Sequence, residues 1–235
     1  MARGVSAAWP GSPAAGARAI LRYNIAMGIG FVAALVAGAS FMIAVLAGWS
    51  GPAIVVWKGA GAALLALWAA RRAGGIDGWL IAAVLALGAA GDVLLEIAGL
   101  EVGALAFLAG HIVAVALYRR NGAPWAFVAI GAIAVAGAAW LILPGVGVAA
   151  YALGLGAMAG GASGSRFPRH IVALGAWLFV LSDLLIFAGA GGLANSNLPH
   201  FLIWPTYFGG QALIAWGVVT NLAGKRYDDR LHHRL

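Results

Sequence analysis

Hydrophobic positions along this chain form long blocks that end at glycine, proline or charge. Read in this way, the sequence predicts helices over residues 23–48, 52–70, 78–98, 102–118, 123–143, 147–163, 170–190 and 199–222. At 1.5 Å per residue, about twenty apolar residues cross the roughly 30 Å hydrocarbon core of a bilayer, so each block reads as a membrane span. The fold class expected is all-α, a polytopic membrane bundle of about eight transmembrane helices. Eight such spans use about 160 residues, which leaves short connections and two tails but no room for a second domain. Residues 1–19, rich in Ala, Gly, Ser and Pro with Arg3 and Arg18, are expected to be a disordered cytoplasmic tail. Residues 20–224 are expected to form the single bundle and residues 225–235 a basic cytoplasmic tail. The apolar run after residue 19 is too long for the core of a signal peptide and is expected to be retained.

Composition sharpens this picture. Of 235 residues, 63% are hydrophobic and 9% charged, with a mean hydropathy of +0.97. A soluble domain carries about 25% charged residues, and seven acids with fourteen bases cannot coat a water-exposed globule. The net charge of +7 does not point to nucleic acid, because the bases sit in small clusters beside apolar runs rather than in a stripe interleaved with aromatics. Having no cysteine, the chain offers no disulfide, thiolate nucleophile or Cys-ligated metal.

The bases set an orientation instead. Arg18 and Arg22 precede the first span, Arg71 and Arg72 follow the second, and Arg119 and Arg120 follow the fourth. Arg166 and Arg169 follow the sixth, while Lys225, Arg226, Arg230 and Arg234 follow the eighth. The alternate connections, near 49–51, 99–101, 144–146 and 191–198, hold no Lys or Arg. Bases accumulate in cytoplasmic connections, so both termini are expected in the cytoplasm (N-in/C-in). Glycines 28, 30, 59, 61, 88, 91, 154, 156 and 160 are expected to bring helix backbones together. Trp49, Trp79, Trp125 and Trp140 fall near span ends, as interfacial anchors do.

Only a few polar side chains interrupt the spans, and ionisable groups at such positions usually face the bundle interior and mark function. Lys58, Asp92, His111 and Asp183 all lie roughly 9 to 14 Å below the uncharged end of the bundle when residues are counted along each helix. Tyr207 and Gln211 on the last span share this layer, with Ser182 and Thr206 beside it. The bland readings are that Lys58 snorkels to the interface, that His111 bridges two helices, and that the hydroxyl and amide groups only pack helices. Asp92 and Asp183 have stems too short to snorkel and are the strongest site candidates. Glu96 stands one turn from Asp92 on the same face, nearer the helix end, and reads as an interfacial or mouth carboxylate. Gly91-Asp92-Val93-Leu94-Leu95 is echoed by Ser182-Asp183-Leu184-Leu185-Ile186 four spans later, a pattern that would suit a parallel 4+4 duplication. No spacing of His and acids resembles a metal motif, no metal is expected, and the Gly154–Gly156 segment lacks the strand a dinucleotide loop needs. Ser163-Gly164-Ser165 is no nucleophile elbow, because neither the flanking glycines nor a strand is there.

These residues resemble the YhhN/TMEM86 family of multi-pass membrane proteins, whose characterised animal members are lysoplasmalogenases. The resemblance runs through Gly91-Asp92 with Leu95, then Gly103, Phe107 and His111 at four-residue spacing, Phe179 to Asp183, and Thr206-Tyr207-Phe208 with Gly210-Gln211. Lys58 stands where the family tends to carry Lys-Pro, with Gly59 in place of the proline, and Ala114 stands where a Tyr often follows the His. The resemblance implies hydrolysis of the vinyl-ether bond of a lysoplasmalogen or related lysolipid, giving a fatty aldehyde and a glycerophospho-alcohol. It implies a bacterial inner (plasma) membrane location, a lysophospholipid substrate and membrane lipids as partners, no nucleic acid and no cofactor. Acid–base catalysis by Asp92 and Asp183 would serve, supported by Lys58, His111, Ser182, Tyr207, Gln211 and Glu96. The main alternative is a proton-coupled transporter of a small molecule or lipid, since intramembrane carboxylates with Lys and His also build proton relays. A third reading is a lipid-binding protein with no catalytic role.

Overall fold

The structure, a computed structural model, describes the backbone of residues 13–232 and the side chains of residues 28–225. Within these residues the chain is helical with no strand: α1 (Pro13–Ala47), α2 (Pro52–Ala70), α3 (Ile76–Ile97), α4 (Leu100–Arg120), α5 (Trp125–Ile142), α6 (Val146–Gly164), α7 (Leu174–Ala190) and α8 (Leu198–His232). All eight predicted spans are present, with most ends displaced by a few residues, but α8 continues helical to His232 through most of the segment expected as a basic tail. α1 begins at Pro13 and takes in part of the segment expected as a tail; residues 1–12 lie outside the described residues. A π-helical turn, Arg169–Ala173, leads into α7 after Pro168, and the Leu174 amide reaches back five residues to the Arg169 carbonyl.

Seven of these helices are long and apolar enough to cross a membrane. The eighth span, α8, is diluted by Pro205, Thr206, Tyr207 and Gln211, of which Tyr207 and Gln211 are buried. Pro205 has no N–H to give the preceding turn, and Thr206 next to it folds its hydroxyl back onto the Leu202 carbonyl at 2.6 Å, so that the hydroxyl is not left unpaired in an apolar medium.

Neighbouring helices pack as hairpins, most extensively α5 with α6, α3 with α4 and α7 with α8. α8 also meets α1, α2 and α3 and closes the bundle, while α4 packs on α6 across its middle. Close approach rests on glycine. A Cβ on Gly156 would lie 2.2 Å from the Gly131 carbonyl oxygen, and one on Gly160 would lie 2.0 Å from that of Phe127, so α5 and α6 touch backbone to backbone. Of the nine glycines expected to pack, Gly28 is the exception, with open space where its Cβ would point. Indole N–H groups tie α1 to its neighbours: Trp204 donates to the Gly38 carbonyl at 2.8 Å and Trp57 to Ser40 Oγ at 3.0 Å. Trp49, Trp79, Trp125 and Trp140 are exposed on the bundle surface near helix ends.

One end of the bundle gathers the arginine-bearing connections. Asp77, in the first turn of α3, accepts from Arg120 Nε at 2.7 Å and from Asn121 Nδ2 at 3.2 Å, and Arg166 Nε donates to Asn121 Oδ1 at 2.7 Å. The connections after α2, α4 and α6 are thereby laced together. Their shared position follows from the alternation of the spans and fits the charge pattern of the sequence.

Candidate functional site

The polar side chains of the spans converge in the half of the bundle away from the arginine-bearing end. Asp92 on α3 is 2% exposed, and its Oδ2 accepts the Tyr207 hydroxyl of α8 at 2.8 Å. Gln211, one turn further along α8, also bonds to Tyr207. Both fit against α3 because residue 88 is glycine, where a Cβ would come within 2.6 Å of Gln211 Nε2. Gly91 does the same for the Phe107 ring, which a Cβ there would meet at 2.7 Å.

Asp183 on α7 is the second buried carboxylate. Its Oδ2 accepts the Tyr151 hydroxyl of α6 at 2.6 Å, and its Oδ1 lies 3.1 Å from Ser182 Oγ, which donates to the Phe179 carbonyl at 2.8 Å. The Tyr151 oxygen also lies 3.3 Å from His111 Nε2 on α4. With its one proton directed to Asp183, Tyr151 accepts from His111, so His111, Tyr151 and Asp183 form a directed hydrogen-bond chain across three helices. If Asp183 gains a proton the whole chain can reverse, which is the property of a proton relay. Asp92 and Asp183 are close enough for their charges to act on each other. The rings of Phe179, Phe107, Tyr207 and His111 interlock edge to face, with Phe179 5.1 Å from both Tyr207 and His111.

Toward the uncharged end, Lys58 Nζ pairs with Glu96 at 2.6 Å, the carboxylate being 43% exposed. Lys58 lies within electrostatic range of Asp92, so it sits over the buried site in an ion pair instead of reaching alone for the interface. Glu96, nearer the helix end, is the more exposed member of that pair. Thr206 spends its hydroxyl on its own helix and does not join the site.

A family model, the YhhN family, matches residues 53–218. The chain belongs to the YhhN family. The match covers the site residues from Lys58 to Gln211 and leaves out all of α1 and the end of α8. No curated protein and no solved structure matches this YhhN chain. Among the described residues, no cluster of three or more His, Cys, Asp or Glu could hold a metal ion.

Tyr151 is the site residue that the polar-layer count omitted. Five residues into α6 from the uncharged end, it shares the depth of Asp92 and Asp183, and extending the depth count to tyrosines finds it. The echoed Gly-Asp and Ser-Asp segments of this YhhN protein do bring two aspartates together. Their tyrosine partners come from α8 and α6, however, so the surroundings of the two are not copies of one another.

Proposed function

We propose that this YhhN protein is a membrane hydrolase that cleaves the vinyl-ether bond of a lysoplasmalogen or a closely related lysolipid. One observation carries the reading: two buried carboxylates, each accepting a tyrosine hydroxyl, lie within electrostatic range of one another beside interlocked aromatic rings. That is the equipment of acid–base chemistry on a lipid, with no need of a covalent nucleophile. Protonated Asp92 gives its proton to the vinyl carbon remote from the ether oxygen, leaving an oxocarbenium ion. Water adds to the carbon bearing that oxygen, and its proton passes to Asp183, forming a hemiacetal. Collapse returns the hemiacetal hydroxyl proton to Asp92 while Asp183 protonates the departing glyceryl oxygen, so aldehyde and alcohol leave and both carboxyls are reset. Asp183 is assigned the water-activating part because it joins Tyr151 and His111 in a chain able to move a proton. Tyr207 and Gln211 orient the substrate oxygen, Ser182 holds Asp183, and Lys58 exchanges Glu96 for the substrate phosphate at the mouth. With the arginine-bearing end in the cytoplasm, as the positive-inside rule places it, both termini are cytoplasmic and the mouth faces the outer leaflet of the inner membrane.

The test is detection of fatty aldehyde by mass spectrometry after purified protein is incubated with a lysoplasmalogen, its saturated ether and its ester analogue. Aldehyde is expected from the vinyl ether alone, with a loss on the order of 10²- to 10⁴-fold in Asp92→Asn and in Asp183→Asn. Full activity in both variants refutes the mechanism, and no product from any lipid refutes the hydrolase reading in favour of a proton-coupled carrier.

A further inference from the structure

Between the site and the arginine-bearing end lies a small cavity of about 20 Å³, lined by His111, Gln211, Gly110, Ala114, Met158 and Tyr118 among others. Tyr118 is fully buried on α4, and its hydroxyl has no hydrogen-bond partner in the protein. Leaving a hydroxyl dry and unpaired costs about 1 to 3 kcal/mol, and nothing in the packing forces this one, since its ring is already held edge to face by Phe167 at 6.2 Å. A side chain in a helix leans toward the helix N-terminus, which for Tyr118 is the direction of Ala114 and His111. A space of roughly 10 to 15 Å³ holds one water, provided polar groups meet it. This cavity exceeds that size, and its wall includes Tyr118, His111 and Gln211 among otherwise apolar residues.

We infer that this cavity is a water site anchored by the Tyr118 hydroxyl, and that it supplies the reacting water to His111 from the side opposite the Lys58–Glu96 mouth. Lipid and water then reach the carboxylates from different ends of the bundle. The site already holds the link this requires: His111 lines the cavity, and its Nε2 lies 3.3 Å from the Tyr151 hydroxyl that donates to Asp183. The delivery role rests on the hydrolase reading, whereas the presence of water does not.

Synchrotron hydroxyl-radical footprinting of the full chain in nanodiscs tests the water directly, because bound water generates the radical in place. Met158, 2% exposed, is expected to be oxidised at a rate comparable with exposed Trp79. Gly110→Ala places a methyl on the cavity wall at ordinary contact distances, 3.5 Å from Leu87 Cβ and 3.6 Å from the Val84 carbonyl oxygen, so the variant should fold. It is expected to lower Met158 oxidation at least fivefold. Tyr118→Phe adds a sign test: removal of a watered hydroxyl lowers Tm, and removal of a dry one raises it. An unlabelled Met158 beside a labelled Trp79, Met158 oxidation undiminished in Gly110→Ala, or a raised Tm in Tyr118→Phe overturns the proposal. For delivery, Gly110→Ala is expected to lower kcat for aldehyde release at least fivefold with KM unchanged, and unchanged kcat overturns that role. Absence of aldehyde from the wild type overturns the hydrolase reading and leaves the footprinting result standing.

Discussion

Tyr151→Phe removes a single oxygen atom from the proposed catalytic chain and should expose how the second carboxylate works. The ring keeps its edge contacts with His111 at 5.6 Å and Phe187 at 6.2 Å, so packing is retained. Two polar contacts are lost, the 2.6 Å bond to Asp183 and the 3.3 Å bond from His111. Asp183 keeps only Ser182, which divides its hydroxyl between Asp183 and the Phe179 carbonyl. A hydrogen bond to a charged group contributes about 1.5 to 3 kcal/mol, which at about 1.4 kcal/mol per decade corresponds to a loss of roughly 10- to 150-fold in kcat/KM. The assay is aldehyde release from purified protein, read with the Tm of the same sample. Because Tyr151 acts through Asp183, the Tyr151→Phe/Asp183→Asn double variant should be no slower than Asp183→Asn alone. A Tyr151→Phe enzyme within twofold of the wild type, or losses that multiply in the double variant, would refute the relay.

Lys58→Ala leaves the half-exposed Glu96 in contact with water, so stability should change by no more than about 1 kcal/mol. Its effect should fall on KM for the phosphate-bearing lipid, and an unchanged KM would remove Lys58 from headgroup binding. Gly160→Ala forces a methyl onto the Phe127 carbonyl, at a cost of about 1 to 3 kcal/mol. Thermal unfolding should show a Tm lower by roughly 2 to 12 °C, with kcat of the folded fraction retained because Gly160 lies about 13 Å along α6 from Tyr151. Gly38→Ala would drive a Cβ to within 2.0 Å of the Phe208 ring. Since Phe208 adjoins Tyr207, this variant should lose both Tm and kcat, and a loss of Tm alone would show that α8 absorbs the strain without moving Tyr207. Tyr207→Phe, which removes the hydroxyl bonded to Asp92, should lower kcat at least tenfold in the aldehyde assay.

The sequence by itself determined where the chain crosses the membrane and how deep its polar groups lie. In a bilayer the backbone must satisfy its own hydrogen bonds, so a span is a local property of about twenty apolar residues. That is why all eight helices were legible, and why Asp92, His111, Asp183, Tyr207 and Gln211 could be placed in one layer by counting. Depth is a coordinate along the helix axis, which residue number measures. Rotation about that axis is not measured by residue number, because helices that are apolar on every side give no period to read. Only the tertiary structure decided that Lys58 turns toward Glu96, that Gly88 makes room for Gln211, and that Tyr151 and Tyr207 choose different aspartates. It also decided that Tyr118 is buried beside a small cavity with its hydroxyl unpartnered in the protein. Those choices are fixed by interlocking side chains and glycine contacts from six helices at once, a constraint that no single segment of sequence contains.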